Sequence, residues 1–110
     1  MIRTFIQTKE FEKNWISLGF SDESLRKLEI LIMKNPQVGA VVQGTGRLRK
    51  MRFAYDHRGK SKSIRICYVD FESKETIYLI TVYAKSKQEN LSMTEQNNVK
   101  KLISVLEKSM

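Results

Sequence analysis

The residues of this chain that could do chemistry are chiefly arginines and lysines, and one segment concentrates them. Residues 44–65 hold eight basic residues and one acid, so the segment carries +7 of the chain's formal net charge of +8. The eight bases are Arg47, Arg49, Lys50, Arg52, Arg58, Lys60, Lys62 and Arg65. Such a concentration of like charge repels itself in a folded protein, and a polyanion is its simplest compensation. The segment therefore indicates a nucleic-acid partner.

Other kinds of site have few residues to build on. The single histidine, His57, lies in a predicted loop, which gives zinc sites and histidine-based triads little support. The single cysteine, Cys67, lies in the apolar run IRICYV and is predicted to be a buried thiol. The stretch Gly44-Thr45-Gly46 lacks the Gly-Lys-Ser/Thr of a phosphate-binding loop and is predicted to be a turn. We therefore expect no metal and no cofactor.

Length and composition bound the architecture. A chain of 110 residues that is 41% hydrophobic predicts one domain over residues 1–110, with one core. No apolar run is long enough to span a bilayer, and the N-terminus lacks the apolar stretch of a signal peptide. We therefore expect no membrane partner and a cytoplasmic location.

A strand and two helices are predicted before the basic segment. The strand covers residues 1–6, which are rich in Ile, Phe and Thr. Thr8 is a suitable N-cap for a first helix that Gly19 ends, and Ser21 for a second helix that closes at Lys34-Asn35-Pro36. So short a link predicts an antiparallel helix hairpin, whose apolar stripe must cover a sheet.

Three strands and a last helix are predicted after the hairpin. Residues 47–54, 63–71 and 76–85 alternate or run apolar, with many β-branched and aromatic side chains. The short links between them predict an antiparallel meander. Ser92 and Glu95 form a capping box before a C-terminal amphipathic helix. The order βααβββα predicts an α+β domain with a four-stranded, mainly antiparallel sheet and its helices on one face.

Alternation along the second strand divides its side chains between the two faces. In Lys50-Met51-Arg52-Phe53, the apolar Met51 and Phe53 are predicted to point to the helices. Lys50 and Arg52 then share the uncovered face, roughly 6–7 Å apart along the strand. That distance is close to the spacing of successive phosphates.

The next two strands extend this basic set. Arg65 enters the third strand and is expected on the same uncovered face, where its truncation would leave no cavity. Tyr83 and Lys85 end the last strand. Any one such residue is ordinarily solvated surface. The set as a whole, with acids nearly excluded from the same stretch, favours a functional interpretation.

Three stretches of the chain resemble the RelE/ParE superfamily of bacterial toxins, and within it the phage-type HigB-like branch. Their motifs are G-T-G-x-L-R-K-x-R, x-x-R-x-x-Y and L-x-T-x-Y-x-K, in residues 43–52, 63–68 and 78–85. The resemblance covers nearly the whole chain and implies the RelE-like fold. It also implies a type II toxin that cuts messenger RNA without a metal, usually on the ribosome. A HigA-like helix-turn-helix antitoxin would restrain it.

The resemblance further implies which residues would act. Relatives similar to RelE have two basic residues on the second strand, one arginine on the third and one basic residue ending the fourth. The matching positions, with the tyrosine beside them, form the implied catalytic set: Lys50, Arg52, Arg65, Lys85 and Tyr83. The predicted RNA-binding set, from the residues themselves, is Arg47, Arg49, Lys87 and Tyr68.

The general base is left open by the sequence. Some relatives have an aromatic base early in the last helix, where this chain has Leu91. Tyr83 and Tyr68 are the remaining candidates, because cations nearby would lower the pKa of a tyrosine. The sequence is also compatible with a ParE-like gyrase inhibitor, a non-catalytic nucleic-acid-binding module, or a degenerate relative that only binds antitoxin.

Overall fold

The computed structural model describes residues 2–54, 63–88 and 90–109. His57 and the bases Arg58, Lys60 and Lys62 lie outside the described residues. The elements in chain order are β1 (Thr4–Gln7), α1 (Lys9–Ser17), α2 (Asp22–Lys34), β2 (Ala40–Val41), β3 (Arg49–Phe53), β4 (Ile64–Phe71), β5 (Thr76–Ala84) and α3 (Met93–Ser109). Within the described ranges, no helix is both long and apolar enough to cross a membrane.

The described strands form one sheet in the order β1-β5-β4-β3-β2. The predicted antiparallel meander is β3, β4 and β5, and β1 pairs in parallel with β5. The predicted count of four strands is wrong by one, because Ala40–Val41 pairs with Lys50 and Arg49 as a fifth strand. A two-residue strand offers no alternation from which to predict it. β4 is the central strand.

The helix hairpin covers one face of the sheet. As predicted, Thr8 caps α1 by accepting a hydrogen bond from the Phe11 backbone N–H, and Ser21 caps α2. Gly19 follows α1 at φ +86°, a backbone conformation that favours glycine. Each large apolar side chain buried below contributes about 1.5–3 kcal/mol. This core consists of Phe11, Trp15, Leu28, Ile32, Met51, Phe53, Ile64, Ile66, Tyr68, Ile77, Leu79 and Val82.

Helix α3 packs on the opposite face, so the expectation that all helices share one face is wrong. An amphipathic stripe shows that a helix must be buried, but not against which face of a sheet. The predicted capping box is present: the Glu95 N–H donates to Ser92 Oγ (3.1 Å), and the Ser92 N–H to Glu95 Oε1 (2.8 Å). The second core below α3 consists of Leu48, Cys67, Val69, Phe71, Ile80, Leu91, Val99 and Ile103.

The pairing of β4 with β5 shifts by one residue in mid-strand. Cys67 pairs with Thr81, whereas the adjacent Tyr68 pairs with Leu79, so Ile80 is an extra residue in β5. Strict alternation would place Thr81 on the hairpin face together with Leu79. Because of the extra residue, every later side chain of β5 lies on the face opposite to the one that alternation predicts. Such β-bulges are frequent beside functional sites, where they redirect side chains.

Candidate nucleic-acid interface

Three neighbouring strands place Arg52, Arg65 and Tyr83 in one row across the sheet. Arg52 of β3 pairs directly with Arg65 of β4, and Arg65 pairs with Tyr83 of β5. Directly paired residues point to the same face, with Cβ atoms about 4.5–5.5 Å apart. The row lies on the α3 face, because Ile64 and Ile66, on either side of Arg65, point into the hairpin core. The alternation predicted for β3 is therefore confirmed.

A second row lies one step along the strands and consists of Lys50, Cys67 and Thr81. Lys50 Nζ donates to Asn90 Oδ1 (2.7 Å), just before α3. Thr81 Oγ1 donates to Glu10 Oε2 (2.6 Å), which brings a carboxylate of α1 to this part of the sheet. Cys67 is fully buried, as predicted, and burial raises the pKa of its thiol to about 12. Its thiol is therefore no nucleophile at neutral pH.

Lys85 extends the surface beyond the end of β5. Its backbone N–H donates to the Ser63 carbonyl (3.4 Å), so the pairing of the two strands continues to this residue. It follows Tyr83 at the same parity, and its side chain is exposed. We call this part of the α3 face, with Lys50, Arg52, Arg65, Tyr83 and Lys85, the basic face.

Arg65 is buried at the centre of the basic face, with 6% of its surface exposed. The expectation that it stands on open surface, where truncation leaves no cavity, is therefore wrong. Arg52 beside it is exposed. A guanidinium shielded from water attracts an anion more strongly than a solvated one does, because the local dielectric is lower. Arg65 thus has the environment of an anion-binding residue.

Tyr68 does not lie on the basic face. It is fully buried in the hairpin core, where its hydroxyl donates to the Pro36 carbonyl (2.7 Å) and accepts from the Gly39 N–H (3.0 Å). Burial raises the pKa of Tyr68, and the hydrogen bond from Gly39 opposes this only in part. The expected lowering of its pKa is therefore wrong, and neither RNA binding nor proton transfer fits its position.

Arg47 and Arg49 are also held away from the basic face. Arg49 has the parity of Met51 and lies on the hairpin side, where its Nη1 donates to the Gly39 carbonyl (2.6 Å). Arg47 donates to Glu107 Oε2 (2.8 Å) near the end of α3, and its guanidinium lies 5.0 Å from the ring centroid of Phe71. The position of Arg49 on the hairpin side does not favour its predicted RNA-binding role, whereas Arg47 is exposed and its predicted role stays a prediction.

The last two predicted positions differ in exposure. Lys87 is exposed beyond the end of β5 and lines a shallow pocket together with Tyr83 and Asn14, so it remains available to a nucleic acid. Leu91 is only 7% exposed and belongs to the core under α3. The position that carries an aromatic base in some relatives is therefore an apolar core position here.

Sequence reasoning missed Glu10. Its position depends on α1, which runs along the edge of β5: Thr8 Oγ1 donates to the Ile80 carbonyl (2.7 Å), and Asn14 Nδ2 to the Val82 carbonyl (3.3 Å). No spacing in the sequence signals this juxtaposition. An acid in the first turn of a helix is explained by the helix dipole alone.

Comparison with known proteins places this chain in a family. The sequence matches the family model described as "RelE toxin of RelE / RelB toxin-antitoxin system" over residues 2–110. A double arginine-to-alanine mutant of E. coli toxin RelE in the free state is similar, with a TM-score of 0.60 and 20% identity over 81% of this chain and 90% of that one.

Two further solved structures share the fold. The intact E. coli RelBE toxin-antitoxin complex matches with a TM-score of 0.54 and 15% identity, over 73% of this chain and 93% of that one. The Helicobacter pylori protein HP0892 matches with a TM-score of 0.56 and 18% identity, over 78% and 98%. At these identities the likeness shows the fold alone, whereas the family model spans nearly the whole sequence. This chain belongs to the RelE toxin family of RelE/RelB toxin–antitoxin systems.

Proposed function

We propose that this toxin is an endoribonuclease that cleaves messenger RNA on the ribosome and so inhibits translation. The observation that carries the proposal is the direct pairing of Arg52 with Arg65, flanked by Lys50 and Lys85 on the same face. Like charges directly opposite one another destabilise a sheet. A bound phosphate would offset that cost, and a nucleic-acid strand supplies phosphates at the required spacing.

The proposed reaction uses the RNA's own ribose as the nucleophile. The 2′ oxygen attacks the adjacent phosphorus, the bond to the 5′ oxygen breaks, and a 2′,3′-cyclic phosphate and a 5′-hydroxyl result. The protein must hold these atoms in line, accept the 2′ proton, stabilise the added negative charge and allow the leaving oxygen to be protonated. No step of this reaction requires a metal.

Each residue of the basic face has a role in this scheme. The guanidinium groups of Arg65 and Arg52 would contact the non-bridging oxygens of the scissile phosphate, because their fork geometry matches two such oxygens. Lys50 and Lys85 would act as point charges on the neighbouring phosphates. Tyr83 would stack on a base or hydrogen-bond the ribose.

The proposal includes an antitoxin partner and a branch of the family. One of the similar structures is a RelBE toxin-antitoxin complex, and we propose that an antitoxin likewise restrains this chain. The stretches 43–52, 63–68 and 78–85 support the HigB-like branch, hence a HigA-like helix-turn-helix antitoxin and action in the cytoplasm.

Expression of the toxin without its antitoxin, followed by pulse labelling, tests the proposal. We expect protein synthesis to stop first, with new 5′ ends in messenger RNA visible by primer extension. Arg65→Lys keeps the charge of a buried position but loses the bidentate fork, and it should abolish these cuts. A fall in DNA synthesis ahead of protein synthesis would favour gyrase inhibition instead. Retained RNA binding with uncut messenger RNA would favour a binding module.

A further inference from the structure

We propose that Glu10 is a catalytic residue of this toxin and accepts the proton of the 2′-hydroxyl during RNA cleavage. The inference rests on the proposed endoribonuclease function and assigns its missing proton acceptor. Glu10 lies outside the basic segment and outside every motif that carries the family resemblance. Its assignment comes from its contact with the sheet.

The contact with Thr81 holds the Glu10 carboxylate beside the basic face. Thr81 is 5% exposed and pairs with Cys67, so its hydroxyl projects on the same side of the sheet as Arg65 and Tyr83. It donates to Glu10 Oε2 at 2.6 Å. A carboxylate has two oxygens that can each accept more than one hydrogen bond. The Thr81 bond therefore orients the group and leaves acceptor capacity for a substrate hydroxyl.

Charges from three side chains, Lys50, Glu95 and Glu10, act on the Cys67 thiol. Burial is the main reason that the pKa of the Cys67 thiol is raised; the positive charge of Lys50 lowers this pKa, and the negative charges of Glu95 and Glu10 raise it. Glu95 is engaged in the α3 cap, where its Oε1 accepts from the Ser92 N–H and from Gln88 Nε2. Both carboxylates are exposed, but among the described residues Glu10 accepts a hydrogen bond only from Thr81, so it is the less engaged of the two.

The other candidate proton acceptors are less suitable. Leu91 has no titratable group, and Tyr68 is buried with its hydroxyl engaged. Tyr83 is on the basic face, but a phenol must lose its own proton before it can accept one, and its ordinary pKa is about 10. A carboxylate is the ordinary proton acceptor at neutral pH.

The proton and the electron pairs balance in the proposed step. As the 2′ oxygen bonds to phosphorus, its proton passes to Glu10, and the electron pair of the broken bond stays on the 5′ oxygen. That oxygen takes a proton from water, and Glu10 later returns its proton to water. Arg52 and Arg65 stabilise the phosphate throughout.

The alternative is that the Glu10–Thr81 bond only fastens α1 to the sheet. Two other bonds already do so, from Thr8 Oγ1 to the Ile80 carbonyl and from Asn14 Nδ2 to the Val82 carbonyl. Replacing Glu10 should therefore leave α1 in place. Glu10→Gln also keeps an oxygen that can accept the Thr81 hydrogen bond.

The test compares Glu10→Gln with wild type and with Glu12→Gln, which removes the same charge from an exposed position of α1. Single-turnover cleavage is measured on ribosomes carrying a short messenger RNA, and binding on the same RNA with 2′-O-methyl groups. We expect Glu10→Gln to cut about a hundredfold or more slower and to bind the methylated RNA at least as tightly, because a negative charge has left the basic face. Glu12→Gln should cut like wild type.

The results that would overturn the inference differ in cleavage rate, RNA binding and melting temperature. Cleavage by Glu10→Gln within twofold of wild type would exclude Glu10 as the proton acceptor. Loss of binding and cleavage together, with a lower melting temperature, would mean that the residue is structural. If wild type binds the RNA without cutting it, the proposed endoribonuclease function is wrong. If wild type and Glu10→Gln cut at the same rate, the proposed function stands and only the role of Glu10 is wrong.

Discussion

Arg52 of β3 and Arg65 of β4 are direct cross-strand partners, although both are cations. Arg52 is exposed and Arg65 is buried. Like charges in this relationship destabilise a sheet by roughly 0.2–1 kcal/mol. The pair is therefore unfavourable for folding, and it suits a polyanion. Stability and activity should respond in opposite directions when the pair is broken.

Arg52→Gln tests this opposition. Removing one cation should raise the free energy of unfolding by up to about 1 kcal/mol. Losing a phosphate contact should slow RNA cleavage by about a hundred- to a thousandfold. Denaturant unfolding and single-turnover cleavage measure the two effects, with Lys101→Gln on the exposed surface of α3 as the control. A less stable variant that still cuts at full rate would contradict the account.

Binding of RNA should weaken steeply as salt rises. Four phosphate contacts, from Lys50, Arg52, Arg65 and Lys85, give an expected log–log slope of about −2.8, at roughly −0.7 for each contact to a single strand. Lys85→Met should flatten the slope by about one contact. Arg49→Met should leave it unchanged, because Arg49 lies on the hairpin side and binds the Gly39 carbonyl. Equal flattening by both variants would show that net charge matters and the basic face does not.

Tyr68→Phe should affect stability and spare activity. It leaves the Gly39 N–H and the Pro36 carbonyl without the hydroxyl that now bonds both, at a cost of about 1–3 kcal/mol. The raised pKa of Tyr68 favours the native state below pH 10, and this contribution is lost as the pH rises through the native pKa. Between pH 8 and a pH above 10, the free energy of unfolding should therefore fall less for Tyr68→Phe than for wild type, because the variant lacks this hydroxyl. Impaired cleavage by the folded variant would restore a functional role.

The Cys67 thiol should react only when the protein opens. It is fully buried, and its pKa is about 12, so little thiolate exists at pH 8. Labelling with a chromogenic disulfide should therefore be slow in the native state and rapid in denaturant. Adding RNA should slow it further, because ligand binding stabilises the folded protein. Fast labelling of the native protein would mean that the core below the basic face is open to solvent.

Side-chain alternation predicted the part of the site that lies on regular strands. The apolar Met51 and Phe53 fix the direction of Lys50 and Arg52, and the structure has all four as alternation requires. The same rule places Arg49 on the hairpin side. The charge of Arg49 favoured RNA binding, whereas its parity and its contact with the Gly39 carbonyl do not.

Alternation could not predict the face to which each side chain at the end of β5 points. From Ile77 and Leu79, which point into the hairpin core, a regular strand would send Thr81 and Tyr83 to the same core. Tyr83 is grouped with the basic residues because it ends the last strand and matches the family motif, and alternation does not support that grouping. Neither alternation nor the family resemblance could predict the contact of Glu10 with Thr81, because that contact depends on how α1 runs along the edge of β5.

The bulge at Ile80 makes the pairing of β5 with β4 as important as the composition of the strand. Deleting Ile80 would leave Leu79 and Thr81 adjacent, opposite the adjacent Tyr68 and Cys67, so the later side chains would keep their faces. If Ile80 were instead retained and paired regularly, every later side chain of β5 would change face. Tyr83 would turn into the hairpin core, and Val82 would take its place beside Arg65. A homologue with a regular, unbulged strand of the same length could keep the fold, the strands and the basic segment, and still have no assembled site.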